Sequence, residues 1–408
     1  MHENLCEILI NNGARLLYTT NRSIGNTLKI FKDAHPAFHY ELSTNEKIAY
    51  ELALAGSISS KRTACIFSAE GLYEALDPLM SSAYTGIVGG LVVLCIKDTE
   101  EEVTPLGPFS KLPVIISGDA ETLFGTIEYA YHISEKYEIP VIVQTEAKVE
   151  NGERRAESDN SKFKIQNSKF VKAPGRWAAT PKFRFQLHKI LNEKTAKIRD
   201  EFERYEGNIK TIHGSKSGII TNKREVLEFY SEDTDVLYLS SVYPLPEGLV
   251  NTFIDGVEEV YVIEGEYPVI ELQIPDRTKI KAEHITSAPG RPKPEEKMYG
   301  FKVVRDKLGA ASSINMAHGI KKLEPEKKIL AITFEEHFFH SGMPALVNTI
   351  YNDSSYVLMI LTNEREEEIK NILRGFDFHN YHHIDNVSEI EKFNKSEELT
   401  VLFYKGII

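Results

Sequence analysis

The run FFHSGMPALVNTIY at residues 338–351 decides how the last part of the chain folds. The short apolar run 328–333 precedes it, and a second short apolar run, 356–361, follows it. Both runs are typical of buried strands, and residues 342–351 between them are typical of a helix. Strand, helix and strand in this order indicate a parallel α/β unit. We therefore predict that residues 299–408 form an α/β domain.

The same alternation runs through the first 150 residues. Apolar strand-like runs occur at residues 63–67, 90–96, 113–117 and 140–144. Amphipathic stretches typical of helices lie between them, at residues 46–55 and 120–137 for example. This order predicts a doubly wound parallel sheet and places the chain in the multi-domain α/β class.

Two polar stretches divide the chain. Residues 146–169 carry many charges without an apolar period, and residues 287–297 are rich in Pro, Gly and charge. Both compositions are typical of loops or linkers. We predict five segments, listed here in chain order: an α/β domain at 1–150, a crossover and connecting helix at 151–210, a smaller α/β domain at 211–285, a linker at 286–298 and an α/β domain at 299–408.

The overall composition excludes several classes of function. The chain has 408 residues and a formal net charge of −12, which argues against a protein that binds nucleic acid through a basic face. It contains no long apolar run of the kind that spans a membrane, and its N-terminus lacks a basic segment followed by an apolar one. We expect a cytoplasmic protein without a membrane partner.

Cysteine usage excludes an iron–sulfur cluster in this chain alone. The three cysteines are Cys6, Cys65 and Cys95, and no CxxC spacing occurs. A [4Fe–4S] cluster is usually held by about four thiolates, so three scattered cysteines are too few. Cys65 and Cys95 lie in apolar runs, where a cysteine is usually a small buried apolar residue.

Several motifs, in order, resemble the α subunit of the indolepyruvate:ferredoxin oxidoreductases, which are thiamine-diphosphate-dependent 2-oxoacid:ferredoxin oxidoreductases. The motifs are NEK at 45–47, DPLM at 77–80, AYTG-x-x-GG at 83–90, INMAHG at 314–319 and FFHSG at 338–342. Residues 170–202 resemble the family's linker, and residues 243–249 and 262–271 resemble its middle, transketolase-C-terminal-like domain. The resemblance implies a pyrimidine-binding-like domain at 1–150 and a shortened diphosphate-binding-like domain at 299–408. It also marks the ferredoxin-like module of the family as missing.

The resemblance implies a role for Glu46. Thiamine diphosphate needs a carboxylic acid at N1′ of its aminopyrimidine, and the family's glutamate stands in the NEK motif. Asn45, Glu46 and Lys47 match that motif. The structural alternative is a first-turn glutamate that complements the helix dipole, with Ser43 or Thr44 as the N-cap. If the family role holds, the Glu46 carboxylate should face a cleft or a subunit interface.

The remaining implied site residues belong to the cofactor. Gly71 and Leu72 match the family's VGL motif, and His340 and Ser341 belong to the FFHSG run. The Mg²⁺ ion on the diphosphate would be held by Glu335 and Asn363. Glu335 stands where relatives have aspartate.

Departures from the family pattern concentrate at the same sites. Phe334 replaces the glycine that lets the backbone approach the phosphates, and negative charge follows Asn363 at Glu364 and residues 366–368. The loop at 18–23 lacks the family's prolines. The acidic run 100–102 is interpreted as a solvated loop.

Three functions remain open from the sequence. The first is thiamine-diphosphate-dependent oxidative decarboxylation of an aryl or branched 2-oxo acid, with a ferredoxin or a separate redox subunit as electron acceptor. The second is a catalytically degenerate homologue that acts as a structural or regulatory subunit, and the third is a non-redox decarboxylase. Because sites of this superfamily often form across a dimer interface, we expect a homodimer under any of them.

Overall fold

The computed structural model of the chain describes residues 2–34, 38–97, 102–146, 180–230, 234–265, 267–284, 297–298, 301–305, 310–393 and 396–406. These residues form two compact units, Met1–Ser287 and Ala288–Ile408, called unit 1 and unit 2 below. Residues 151–179 of the predicted crossover segment 151–210 and residues 286–296 of the predicted linker 286–298 lie outside the described residues. The domain boundaries stay a prediction.

The strands of unit 1 alternate with helices along the chain. In chain order the strands are β1 (Leu16–Thr19), β2 (His39–Leu42), β3 (Thr63–Ser68), β4 (Leu91–Lys97), β5 (Val114–Ser117), β6 (Val141–Glu146), β7 (Ile209–Thr211), β8 (Ser217–Thr221), β9 (Asp235–Tyr238), β10 (Ser241–Tyr243), β11 (Glu259–Glu264) and β12 (Ile280–His284). The helices are α1 (His2–Asn11), α2 (Arg22–Ala34), α3 (Glu46–Ile58), α4 (Ala69–Glu74), α5 (Leu76–Thr85), α6 (Leu106–Ser110), α7 (Ala120–Tyr137), α8 (Pro181–Phe202), α9 (Arg224–Tyr230), α10 (Glu247–Asp255) and α11 (Val269–Gln273).

Two sheets organise unit 1. Within its described residues, the first sheet has the strand order β10-β5-β6-β4-β3-β1-β2 and the second has the order β12-β11-β8-β9-β7. Strands β1 to β6 pair in parallel, while β10 joins the edge of β5 in the antiparallel direction. Strand β4 is buried along nearly its whole length, because helices pack on both faces of such a sheet. The parallel order confirms the predicted α/β class.

Unit 2 contains a third sheet. Its strands are β13 (Lys297–Met298), β14 (Phe301–Arg305), β15 (Ile329–Phe334), β16 (Val357–Leu361), β17 (Tyr381–Ile384) and β18 (Thr400–Tyr404), in the order β13-β14-β15-β16-β18-β17 among the described residues. Its helices are α12 (Ser312–Leu323), α13 (Glu335–His337), α14 (Met343–Tyr351) and α15 (Glu366–Gly375), with a π-helical turn at Phe338–Gly342 and a 3₁₀ helix at Val387–Phe393. Apolar residues on both faces of β15, β16 and β18 form its core.

The parallel strands determine where the candidate residues meet. Carboxyl ends of adjacent parallel strands lie at one edge of a sheet, and ligands of α/β proteins bind there. In unit 1, β1 and β3 are neighbours, and α3 packs against both. In unit 2, β15 and β16 are neighbours, so the segments after Phe334 and after Leu361 lie side by side.

Candidate functional site

Glu46 is the first residue of α3. Asn45 is the N-cap, in an extended conformation with φ of −152°, and its side chain accepts a hydrogen bond of 2.9 Å from the Ile48 N–H. The N-cap is therefore neither Ser43 nor Thr44, the two residues that the structural alternative for Glu46 had named. The short side chain of Asn45 satisfies a first-turn N–H that would otherwise lack an intrahelical partner.

The half-buried Glu46 carboxylate has fixed neighbours. Its Oε1 accepts a hydrogen bond of 2.8 Å from the Thr20 hydroxyl, which follows the end of β1. Gly71 on α4 lies against the same carboxylate, since a Cβ built on Gly71 would be 2.9 Å from Oε1 and 3.0 Å from Cγ of Glu46. The structure thus brings Glu46 and Gly71 together and adds Thr20, which the sequence argument had missed.

Gly71 and Leu72 play different parts in α4. The Ser68 hydroxyl accepts a hydrogen bond of 3.0 Å from the Gly71 N–H and so caps this short helix. Leu72 is fully buried in the core of unit 1. A ligand beside α4 would therefore meet the main chain of Leu72 and not its side chain.

The acidic run after β4 is more buried than its composition suggested. Glu102 is only 4% exposed, and its carboxylate pairs with Lys97 at 3.1 Å and with Lys223. Burial raises the pKa of Glu102, but the two ammonium groups lower it by more, so the net pKa lies below the ordinary value. The interpretation as a solvated loop was wrong for Glu102. Residues 100 and 101 lie outside the described residues.

Glu335 is the first residue of α13 and is only 2% exposed. Its Oε2 accepts hydrogen bonds from three consecutive backbone N–H groups: Asn363 at 2.9 Å, Glu364 at 3.3 Å and Arg365 at 3.1 Å. These residues lead directly into α15. Glu335 and Asn363 are therefore adjacent, but the contact runs through the Asn363 main chain. Their assignment as metal ligands stays a prediction.

The neighbours of Glu335 differ from those of a metal–diphosphate cradle. The Phe334 ring is 45% exposed and packs edge-on against His337, with 5.4 Å between ring centroids. The Asn363 side chain is exposed. Among the described residues, no group of three or more His, Cys, Asp or Glu side chains could hold a metal ion.

His340 and Ser341 lie in the π-helical turn that follows α13. The Ser341 hydroxyl donates a hydrogen bond of 2.5 Å to the Ala310 carbonyl, which ties the turn to the segment before α12. The His340 side chain is half-buried. Their assignment to cofactor binding stays a prediction.

The acidic first turn of α15 is balanced by its own cations. Lys370 contacts Glu366 at 2.6 Å and Glu367 at 2.9 Å, and Arg365 contacts Glu368 at 2.8 Å. Opposite charges this close largely cancel at a distance. The like-charge repulsion expected of residues 366–368 is therefore reduced.

Unit 1 also contains a cavity of about 720 Å³ that no sequence motif predicted. Arg224, Tyr238 and His132 line it, together with Tyr129 and Tyr205, whose rings stack with their centroids 4.1 Å apart. Glu46, Gly71 and Leu72 do not line this cavity.

Comparison with known proteins identifies the relatives of this chain. Indolepyruvate oxidoreductase subunit IorA of Pyrococcus abyssi is 27% identical over 438 aligned positions, which cover 80% of this chain and 67% of that protein. IorA of Methanothermobacter marburgensis is 32% identical over 279 positions, covering 63% of this chain and 44% of that protein. The chain is similar to IorA. The resemblance inferred from its motifs is thereby confirmed.

The solved structures agree on the fold. A 2-oxoglutarate:ferredoxin oxidoreductase from Magnetococcus marinus matches 69% of this chain and 61% of its own with a TM-score of 0.51, at 13% sequence identity. At that identity the match concerns the fold alone. No family model matches the chain. No helix among the described residues is long and apolar enough to cross a membrane.

The two halves of the implied cofactor site differ in how well they suit thiamine diphosphate. In unit 1, the hydrogen bond from Thr20 holds the Glu46 carboxylate, and a Cβ added to the neighbouring Gly71 would collide with that carboxylate. A carboxylate held in this way suits an aminopyrimidine partner. In unit 2, the Glu335 carboxylate is buried and already bound to the backbone, and Phe334 stands at the strand end. The unit 2 residues do not fit a metal-bound diphosphate.

Proposed function

We propose that this chain is an α-type subunit of a thiamine-diphosphate-dependent oxidoreductase that acts on an aryl or branched 2-oxo acid. The relatives named indolepyruvate oxidoreductase support the reaction class. The observation that carries the proposal is the arrangement of Glu46, Thr20 and Gly71. The same relatives favour neither a non-redox decarboxylase nor a non-catalytic subunit.

The proposed role of Glu46 follows from its setting. A carboxylate at the start of a helix lies near the positive end of the helix dipole, and the hydrogen bond from the Thr20 hydroxyl orients it. Because Gly71 has no side chain, the Glu46 carboxylate can lie directly against the backbone of α4. Glu46 thus has the fixed position that a general acid–base group requires.

The proposal includes partners. The three cysteines Cys6, Cys65 and Cys95 are fewer than the about four thiolates that hold a [4Fe–4S] cluster, so we propose that the electrons from the 2-oxo acid pass to a ferredoxin or to a separate redox subunit. The relatives are themselves named as subunits. We further propose a homodimer of this chain within the cytoplasmic assembly.

The test is activity of the assembly in which the chain occurs. The tagged chain is purified with its partners from its own cells, and reduction of a viologen dye is measured with indolepyruvate and coenzyme A. We expect indolepyruvate-dependent reduction that falls by roughly 100-fold or more in Glu46→Gln, the range of a lost acid–base group. Glu51→Gln, an exposed glutamate on the same helix, is the matched control. An assembly without 2-oxo-acid-dependent reduction, or a Glu46→Gln variant with full activity, would contradict the proposal.

A further inference from the structure

We infer that Glu335 serves as the built-in anion of unit 2, occupying with its own carboxylate the backbone N–H groups at which a metal-bound diphosphate would otherwise lie. Consecutive N–H groups that precede a helix form a natural anion-binding concavity. Here that concavity leads into the ten-residue helix α15. The Glu335 carboxylate of the same chain fills the concavity.

Three hydrogen bonds hold the Glu335 carboxylate against the segment before α15. Three N–H groups, those of Asn363, Glu364 and Arg365, converge on the single atom Oε2 of Glu335 at 2.9 to 3.3 Å. Hydrogen bonds from N–H groups to a carboxylate are stronger than those between neutral partners. A phosphate oxygen could use these donors only by displacing the carboxylate.

The burial of Glu335 disfavours a metal ion at its carboxylate. Mg²⁺ in proteins usually keeps several of its water ligands and binds a diphosphate through one or two carboxylates. Glu335 is 2% exposed, which leaves little room for a hydrated ion at its oxygens. The exposed Phe334 ring stands at the end of β15, where the resembled family has the glycine that lets the backbone approach the phosphates.

Unit 1 uses the same device where no cofactor is implied. The Asp235 carboxylate accepts from the N–H groups of three consecutive residues, His213 at 2.6 Å, Gly214 at 2.9 Å and Ser215 at 3.2 Å. The Glu264 carboxylate likewise accepts from Ile270 at 2.7 Å and Glu271 at 3.0 Å, at the start of α11. Buried carboxylates that accept hydrogen bonds from backbone N–H groups thus recur in this chain at sites where no cofactor is implied. Glu335 is buried like both of them and, like Asp235, accepts from three consecutive N–H groups with a single oxygen.

A consequence follows for the assembly, and it rests on the proposed function. Each copy of this chain carries the same Glu335, so a second copy cannot supply the metal–diphosphate half of a site whose other half contains Glu46. That half must come from a different polypeptide, one with an accessible carboxylate for the metal and backbone N–H groups open to phosphate.

Calorimetry on the full-length chain tests the inference, with Mg²⁺ plus inorganic pyrophosphate as the probe and Mg²⁺ plus thiamine diphosphate as the second titrant. The wild-type chain should give no saturable binding of either. Glu335→Ala should show saturable binding of pyrophosphate, at least about tenfold tighter than the weakest binding that the titration detects, because the three N–H donors become open. Glu335→Gln keeps an acceptor oxygen and should remain folded without gaining affinity. The exposed Glu336→Gln is the matched control.

Two results would overturn the inference. One is Mg²⁺-dependent binding of pyrophosphate by the wild-type chain that disappears in Glu335→Gln, which would make Glu335 a metal ligand. The other is a folded Glu335→Ala variant that gains no affinity for pyrophosphate. Both results come from pyrophosphate binding and not from the viologen assay. Failure of the proposed activity can therefore be distinguished from failure of this inference.

Discussion

The Cα of Gly71 is so close to the Glu46 carboxylate that a methyl group at position 71 would lie 2.9 Å from Oε1. The obstacle is the end of a flexible side chain, so an alanine there displaces the carboxylate without disrupting the backbone. A contact of this kind controls the position of a functional group more than the stability of the fold.

Gly71→Ala should therefore lower activity more than stability. We expect kcat of the assembly to fall roughly 10- to 100-fold, because a displacement of about 1 Å can reduce a rate to that extent. The melting temperature of the chain should change little. Gly125→Ala on α7 is the control, since no atom lies within 4 Å of the place that a Cβ would take there, and it should leave kcat unchanged. Equal kcat values for the two variants would contradict the importance of the contact.

Thr20 should act as a positioning residue for Glu46. Thr20→Val removes the hydroxyl that donates to Oε1 at 2.8 Å while keeping the volume of the side chain. A hydrogen bond to a charged group is worth roughly 1.5 to 3 kcal/mol, so we expect kcat to fall about tenfold or more. Thr20→Ser retains the hydroxyl and should restore most of the rate at an unchanged KM. A Ser variant as slow as the Val variant would indicate that packing, not the hydroxyl, matters.

Removal of Glu335 should loosen the segment before α15. Glu335→Ala takes the carboxylate away from the N–H groups of residues 363–365, at a cost of roughly 2 to 4 kcal/mol in local stability. Hydrogen exchange followed by mass spectrometry should show faster exchange in peptides covering residues 363–375. Glu336→Ala, an exposed neighbour, should leave those peptides unchanged. Unaltered protection in Glu335→Ala would contradict the role of the carboxylate.

The Glu102 cluster should make unit 1 sensitive to acid. The pKa of Glu102 lies below its usual 4.5: burial raises it, and Lys223 and Lys97 outweigh burial. A depressed pKa means that the unfolded chain binds more protons, so this stabilisation is full above about pH 4.5 and is lost as the pH falls through the folded-state pKa. Glu102→Gln should reduce the free energy of unfolding by about 3 kcal/mol at pH 7, because it removes the buried carboxylate that two ammonium groups share.

The measurement is denaturant unfolding of wild type and Glu102→Gln from pH 7 down to pH 3, with the difference expected to shrink in acid. Lys216→Met is the control, since its pair with Glu258 is solvent-exposed on both sides and should contribute little. A difference that stays constant over the whole pH range would argue against an ionic origin.

The alternation of strands and helices was readable from the sequence because apolar spacing determines it. Predicted helix 120–137 matches α7 at both ends, and predicted strand 113–117 contains β5 and ends with it. Strand β17 was missed, since its sequence YHHI has two exposed histidines and no apolar alternation. Strand β14 was missed as well, because charged residues interrupt the short apolar run of its sequence FKVVR.

The candidate site was predictable only in part. The motif containing Glu46 identified a position, but its contact with Thr20 depends on the pairing of β1 with β2, which no local pattern encodes. The role of Glu335 was hidden for a similar reason. Its partners are backbone N–H groups 28 to 30 residues away, and backbone groups carry no sequence signature.

Strand β10 restricts how this protein can be cut and recombined. It lies between β9 and β11 of the second sheet along the chain, yet it pairs with β5 of the first sheet. The Ile116 N–H donates a hydrogen bond of 2.7 Å to the neighbouring Ser240 carbonyl. A fragment ending at residue 150 or 210 would leave the outer edge of β5 bare, and an uncovered edge invites pairing with another chain. Chimaeras with IorA relatives should therefore exchange Met1–Ser287 as one block.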